Sequence, residues 1–207
     1  GGLPTNTPPI SVPTLAPTET PAPTLEPTAT EWAPEPTTTL SGNDPAYRLG
    51  TPSWEDPMDT GDNWPLESDQ YTAAAIKDGY LQLTGLKKDN GWRLTINDLE
   101  NFYMDMTVQS NDCSGTDRYG LMVRVPSRKE ANRGYWFQIN CRGQYAFQKW
   151  DGSEEPGKVT GIIGWTSNAA INPGSMATNR IGIMAMGDTF TLYANGVKLA
   201  TAKDDTW

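Results

Sequence analysis

From Tyr71 onward apolar and polar residues alternate with a period of two, which commits this part of the chain to strands that bury one face each. Phe102, Met104, Met106 and Val108 interleave with Tyr103, Asp105, Thr107 and Gln109. Tyr119, Leu121, Val123 and Val125 interleave with Gly120, Met122 and Arg124, and Tyr135, Phe137 and Ile139 with Trp136, Gln138 and Asn140. The first set in each run is the predicted core side. Arg142-Gly143 then turns the chain into Tyr145-Ala-Phe-Gln-Lys-Trp150. Hairpin turns are expected at Asp78-Gly79, Gly187-Asp188 and Asn195-Gly196, because these residue types tolerate the left-handed backbone that tight turns between twisted strands require. No stretch carries a helical apolar stripe longer than two turns. About ten or eleven short, evenly spaced strands predict an all-β fold, an antiparallel β-sandwich or a barrel.

The pattern does not reach the N-terminus. Residues 1–45 hold eleven of the 17 prolines, eleven threonines and five acids, with no Lys or Arg. Their few scattered apolar residues cannot offset the entropy of ordering the chain. Proline every two to four residues favours extended polyproline II, so 1–45 is read as a stalk or arm and 46–207 as one folded domain. Threonines among prolines are also the composition of O-glycosylated stalks. The candidate acceptors are Thr14, Thr18, Thr20, Thr24, Thr28, Thr30, Thr37, Thr38 and Thr39.

Charge and composition exclude several function classes. The net charge is −9, which offers no basic field for nucleic acid. The sequence has no His, so it lacks the usual general base near neutral pH and the commonest transition-metal ligand. Two cysteines, Cys113 and Cys141, are too few for a zinc site and are expected to form a disulfide in an exported protein, the alternative being two buried thiols. No apolar run of 18 residues occurs, so no membrane-spanning helix is expected.

Several runs together resemble the concanavalin A-like lectin and glucanase superfamily, specifically laminin G-like and family 16 glycoside hydrolase-like jelly rolls on Pro/Thr-rich bacterial stalks. They are Trp54-Glu-Asp-Pro-Met58 with Trp64, Asp78-Gly79-Tyr80, Asp117-Arg-Tyr-Gly-Leu-Met-Val-Arg124, and Gly134-Tyr-Trp-Phe-Gln-Ile139 with Gly143-Gln-Tyr145. Trp165 to Ile171, Asn179-Arg-Ile-Gly-Ile183 and Leu192-Tyr-Ala-Asn-Gly-Val197 continue the likeness. The resemblance implies a jelly roll, and it carries two departures. The paired-carboxylate strand of the catalytic family 16 members is absent, and Glu154-Glu155 are adjacent, which on a strand would point them to opposite faces, so no enzymatic activity is expected. These domains also continue past the Asn-Gly hairpin, so a final strand is expected to be missing or supplied by a neighbour.

The functional expectation is a non-enzymatic extracellular or cell-surface module that contacts carbohydrate or a cell-surface polymer. The alternatives are a structural subunit of an extracellular filament or sheath, its arm docked on other copies of itself, and the ectodomain of a membrane-anchored receptor. The candidate glycan contacts are Arg124, Trp136, Gln138, Asn140, Gln148 and Trp150. Indoles stack on the apolar faces of sugar rings, while amides and guanidinium bond hydroxyls. The competing reading is that both tryptophans serve packing. No cofactor is assigned. Asp112 and Asp117 with loop carbonyls are the acids that could hold calcium, which these jelly rolls often bind, against the plainer reading of surface solvation.

Overall fold

The alternating runs become ten strands, seen in a computed structural model that describes residues 42–95, 99–127, 129–153 and 156–207. The chain divides into two units, Gly1–Thr37 and Thr38–Trp207, and the described residues all fall in the second. The candidate glycosylated threonines and the Glu154-Glu155 pair lie outside the described residues.

A one-turn helix α1 (Pro45–Leu49) precedes the strands, with Asp44 as its N-cap accepting from the Ala46 amide. A hairpin of β1 (Thr72–Lys77) and β2 (Tyr80–Gly85) follows as its own two-stranded sheet. β3 (Phe102–Gln109) then enters the first large sheet. The chain crosses to build the second sheet from β4 (Arg118–Val123), β5 (Arg133–Asn140), β6 (Gln144–Asp151) and β7 (Lys158–Ser167) in that order. It returns with β8 (Thr178–Met186), β9 (Thr189–Ala194) and β10 (Val197–Lys203), giving the order β10-β9-β8-β3. All ladders are antiparallel. The three foreseen two-residue turns are present, and Asn195 and Gly196 have φ of 51° and 78°, as a type I′ turn requires.

The two large sheets face each other across one core. Tyr135, Phe137 and Ile139 of β5 and Phe147 of β6 meet Ile181, Ile183, Phe190 and Leu192 of β8 and β9, all inaccessible to solvent. Phe190 is the central wedge, its ring 4.6 Å from Tyr135 and 5.1 Å from Phe147. Phe102, Met104, Met106 and Val108 pack against this cluster from β3, on the side their alternation predicts. Cys113, in the β3-β4 loop, and Cys141, just after β5, form a disulfide with Cα atoms 5.7 Å apart. It ties the loop joining the two sheets to the end of the central strand.

The outer face of the first sheet is partly occupied by the start of the domain. The Asp44 carboxylate is buried and paired with Arg180 of β8, which also holds Asp105 of β3 at 2.7 Å. A buried carboxylate needs such a partner, since leaving it unpaired would be costly.

At one end of the sandwich the chain after β10 folds back over the core. Tyr135 donates its hydroxyl to Asp204 at 2.6 Å, and Lys149 reaches the same carboxylate at 2.8 Å. Burial acts to raise the Asp204 carboxyl, but the hydrogen bonds from Lys149, Thr206 and Tyr135 outweigh it and hold the group well below the usual carboxylate range. Burial, with Asp204 alongside, pushes the Tyr135 phenol up to about 12. The depressed carboxyl adds stability that is present above its ordinary value of 3.8 and is lost as pH falls below it. The raised phenol adds stability that is present below 10 and is lost as pH rises toward about 12. In thermal melts across pH, Asp204→Asn is expected to lower Tm at neutral pH and to flatten the acid-side decline; an acid limb identical to that of the unaltered protein would contradict the network.

Candidate functional site: a roofed tryptophan layer and its groove

Strand register decides what the outer face of the second sheet presents. Trp136 lies opposite Gln148 on β6 and Met122 on β4, and Trp150 lies opposite Gly134 and Val159. The two tryptophans are diagonal neighbours, and their indoles stack, centroids 5.1 Å apart at 13°. Beside Trp150 the chain closes to backbone contact. A Cβ at Gly157 would lie 1.9 Å from the ring, so only glycine fits there. Trp92, from the segment before β3, tilts onto both, 6.0 Å from Trp136 and 6.3 Å from Trp150. Trp136 is left 5% exposed. Two indoles stacked on each other, with Gly157 behind one and Trp92 across both, hold Trp92 in place instead of offering open faces of their own.

The other expected contacts separate. Gln138 is 8% exposed and donates its amide to Asn90 Oδ1 at 3.2 Å, while its own Oε1 is buried without a partner. Asn140 accepts from the Arg142 and Gln144 amides at 3.0 and 3.1 Å and donates to Gln144 Oε1, so it shapes the β5-β6 turn. Gln148 is half-buried opposite Gly161.

Arg124 corrects the expected face. Its backbone has φ of 56°, which breaks the alternation after β4 and turns the side chain toward the first sheet. There it donates to the Gly187 carbonyl at 3.1 Å and lies 5.8 Å from the Phe190 ring. Asp112 is exposed, and Asp117 accepts from the Ser114 amide at 3.0 Å. Among the described residues no group of three acids, cysteines or histidines is arranged to hold a metal ion.

What covers the layer is fixed from outside the sheet. Arg93 is 4% exposed at its side chain and donates to Asp69 at 2.9 Å, to Thr72, and to the carbonyls of Glu67 and Trp92 at 2.6 and 2.8 Å. These bonds tie the approach to β1 against Trp92. The amides of Thr72 and Tyr71, helped by Arg93, hold the Asp69 carboxyl below the usual range. Asn90 completes the roof by accepting from Arg118 of β4 at 2.8 Å as well as from Gln138. Between the two segments runs a groove of about 280 Å³ lined by Asp69, Gln70, Tyr71, Asn90, Gly91 and Trp92. A second hollow at the β5-β6 turn, which includes Arg142, Asn168 and Pro173, has no aromatic ring in its lining.

Trp92 and Asn90 were not singled out from sequence, because residues 86–95 interrupt the alternation, and Tyr71 entered only as the start of the alternating region. The available signal was an Asn-Gly pair followed by Trp.

Two facing antiparallel sheets, a face of one partly roofed, define a β-sandwich of the jelly-roll class. Residues 51–207 match the 3-keto-alpha-glucoside-1,2-lyase-like domain, and the chain belongs to that family. Among solved structures it is similar to the carbohydrate-binding module CBM66 from Bacillus subtilis, with a TM-score of 0.54 and 17% identity over 70% of this chain and 81% of that one. At that identity the likeness shows the fold. No curated protein matches the sequence. The resemblance read from sequence holds at the level of the jelly roll, and the matched family is described by neither of the two names it suggested.

Trp92→Ala is expected to keep the strand content, lower stability by about 2 kcal/mol for a half-buried indole, and expose Trp136 and Trp150. Red-shifted emission with faster acrylamide quenching is the expected readout, and unchanged quenching would show that Trp92 is not their cover.

Proposed function

We propose that the chain is a non-catalytic, extracellular module that contacts carbohydrate, displayed on its Pro/Thr-rich segment. The observation that carries this reading is a groove pairing an immobilised indole with amide side chains, the combination that sugar recognition needs: an apolar ring face and fixed hydrogen-bonding groups. A fold shared with the carbohydrate-binding module CBM66 supports it. The Cys113–Cys141 disulfide suits an oxidising compartment.

The family's name favours a second reading, a lyase acting on 3-keto-α-glucosides. Elimination across C1 and C2 of such a sugar needs a base to take the C2 proton, which the ketone acidifies. Asp69 is the carboxylate of the groove, and two backbone amides and Arg93 stabilise its charge. That same stabilisation makes it a weak base. The chain has no His to take its place. Binding without turnover is therefore the better fit.

Titration with maltose, trehalose, sucrose, cellobiose and lactose, followed by tryptophan emission, is expected to give a saturable change with Kd on the order of a millimolar, as suits a small open site. Incubation with a 3-keto-disaccharide is expected to release no free glucose. Turnover there would replace the binding reading with the enzymatic one.

A further inference from the structure

Resting on the carbohydrate reading, we infer that the groove is a subsite for one neutral sugar ring, held over Trp92 by the carboxamide nitrogens of Gln70 and Asn90. The orientation of both amides follows from their neighbours. Gln70 Oε1 accepts from Lys87 Nζ at 3.1 Å, and Asn90 Oδ1 accepts from Arg118 Nε at 2.8 Å and from Gln138 Nε2 at 3.2 Å. A charged donor demands the oxygen, so neither amide is free to flip. Each keeps an NH₂ group with no hydrogen-bond partner among the described residues, in a groove that both residues line. The capacity these side chains offer a ligand is thus donor capacity, which hydroxyl and ring oxygens satisfy.

Charge and size narrow the occupant. Asp69 lines the same groove as an anion paired with Arg93, which disfavours a carboxylated sugar beside it, while Lys87 Nζ and Arg118 Nε each point at an amide oxygen. The volume of about 280 Å³ sits at the lower edge of small-molecule pockets and suits one ring. Lys87 also lies 5.2 Å from the Tyr71 ring centroid, which leaves Trp92 as the aromatic surface for the sugar. Behind Asn90, Gln138 Oε1 is a buried acceptor without a partner, and such a group is costly unless something donates to it. Because Trp92 is wedged on two stacked indoles, the surface is fixed before the ligand arrives.

Gln70→Glu and Asn90→Asp test this with little structural change, since each keeps the oxygen that accepts from Lys87 or from Arg118 and Gln138 and replaces only the NH₂. Calorimetric titrations of the full chain would use the five neutral disaccharides above and digalacturonate. A neutral disaccharide is expected to bind, and each variant to weaken it at least tenfold while Tm stays within a few degrees. Binding to the unaltered chain that both variants retain within twofold would move the site elsewhere and leave the carbohydrate reading standing. Tighter binding of digalacturonate than of any neutral sugar would overturn the neutral subsite. No binding of any of the six would remove the carbohydrate reading and the subsite together.

Discussion

Strand β5 is buried on both faces, and the arrangement of everything around it follows from that. Every residue from Gly134 to Asn140 is shielded from solvent, although only one set of alternate side chains can point into the sandwich. The inner set, Tyr135, Phe137 and Ile139, closes the core with Phe190. The outer set places an indole and two amides on a face that a two-layer fold would otherwise leave to water. An indole buries about 150–250 Å², which at about 25 cal/mol per Å² is worth about 5 kcal/mol. That is a strong drive to recruit a cover. The Asn90-Trp92 segment provides it, and the groove is the seam where the cover meets the approach to β1.

The two faces of the sandwich therefore differ in use. On the first sheet the outer surface receives Asp44, whose carboxylate is neutralised by Arg180, so the start of the domain is pinned there by a buried ion pair. The second sheet carries the tryptophan layer and the groove. The groove and the buried Asp44–Arg180 pair therefore lie on opposite sheets.

The sandwich was legible in the sequence because strand alternation is a local signal. β3, β4 and β5 each put the expected residues inward, and Asp78-Gly79, Gly187-Asp188 and Asn195-Gly196 marked the turns of the β1-β2, β8-β9 and β9-β10 hairpins. The site was less legible, because alternation tells which face a residue takes but not what covers that face. Trp136 and Trp150 were placed on the outer side, yet their stacking on each other depends on the β5-β6 register, and their burial depends on a loop more than 40 residues earlier in the chain. Arg124 departed for a different reason, since a single left-handed residue reverses the alternation after it. Asn140 was read as a surface amide, but a turn needed its side chain for two backbone donors.

The most direct measurement is chemical-shift mapping of backbone amide, indole and side-chain amide N–H groups in ¹⁵N-labelled protein during titration with the best-binding disaccharide. The account predicts that the Trp92 indole and the NH₂ groups of Gln70 and Asn90 shift together, while the resonances of Tyr103, Asp105 and Tyr193 on the outer face of the first sheet stay still. Shifts centred on that opposite face, with Trp92 unmoved at saturation, would contradict it.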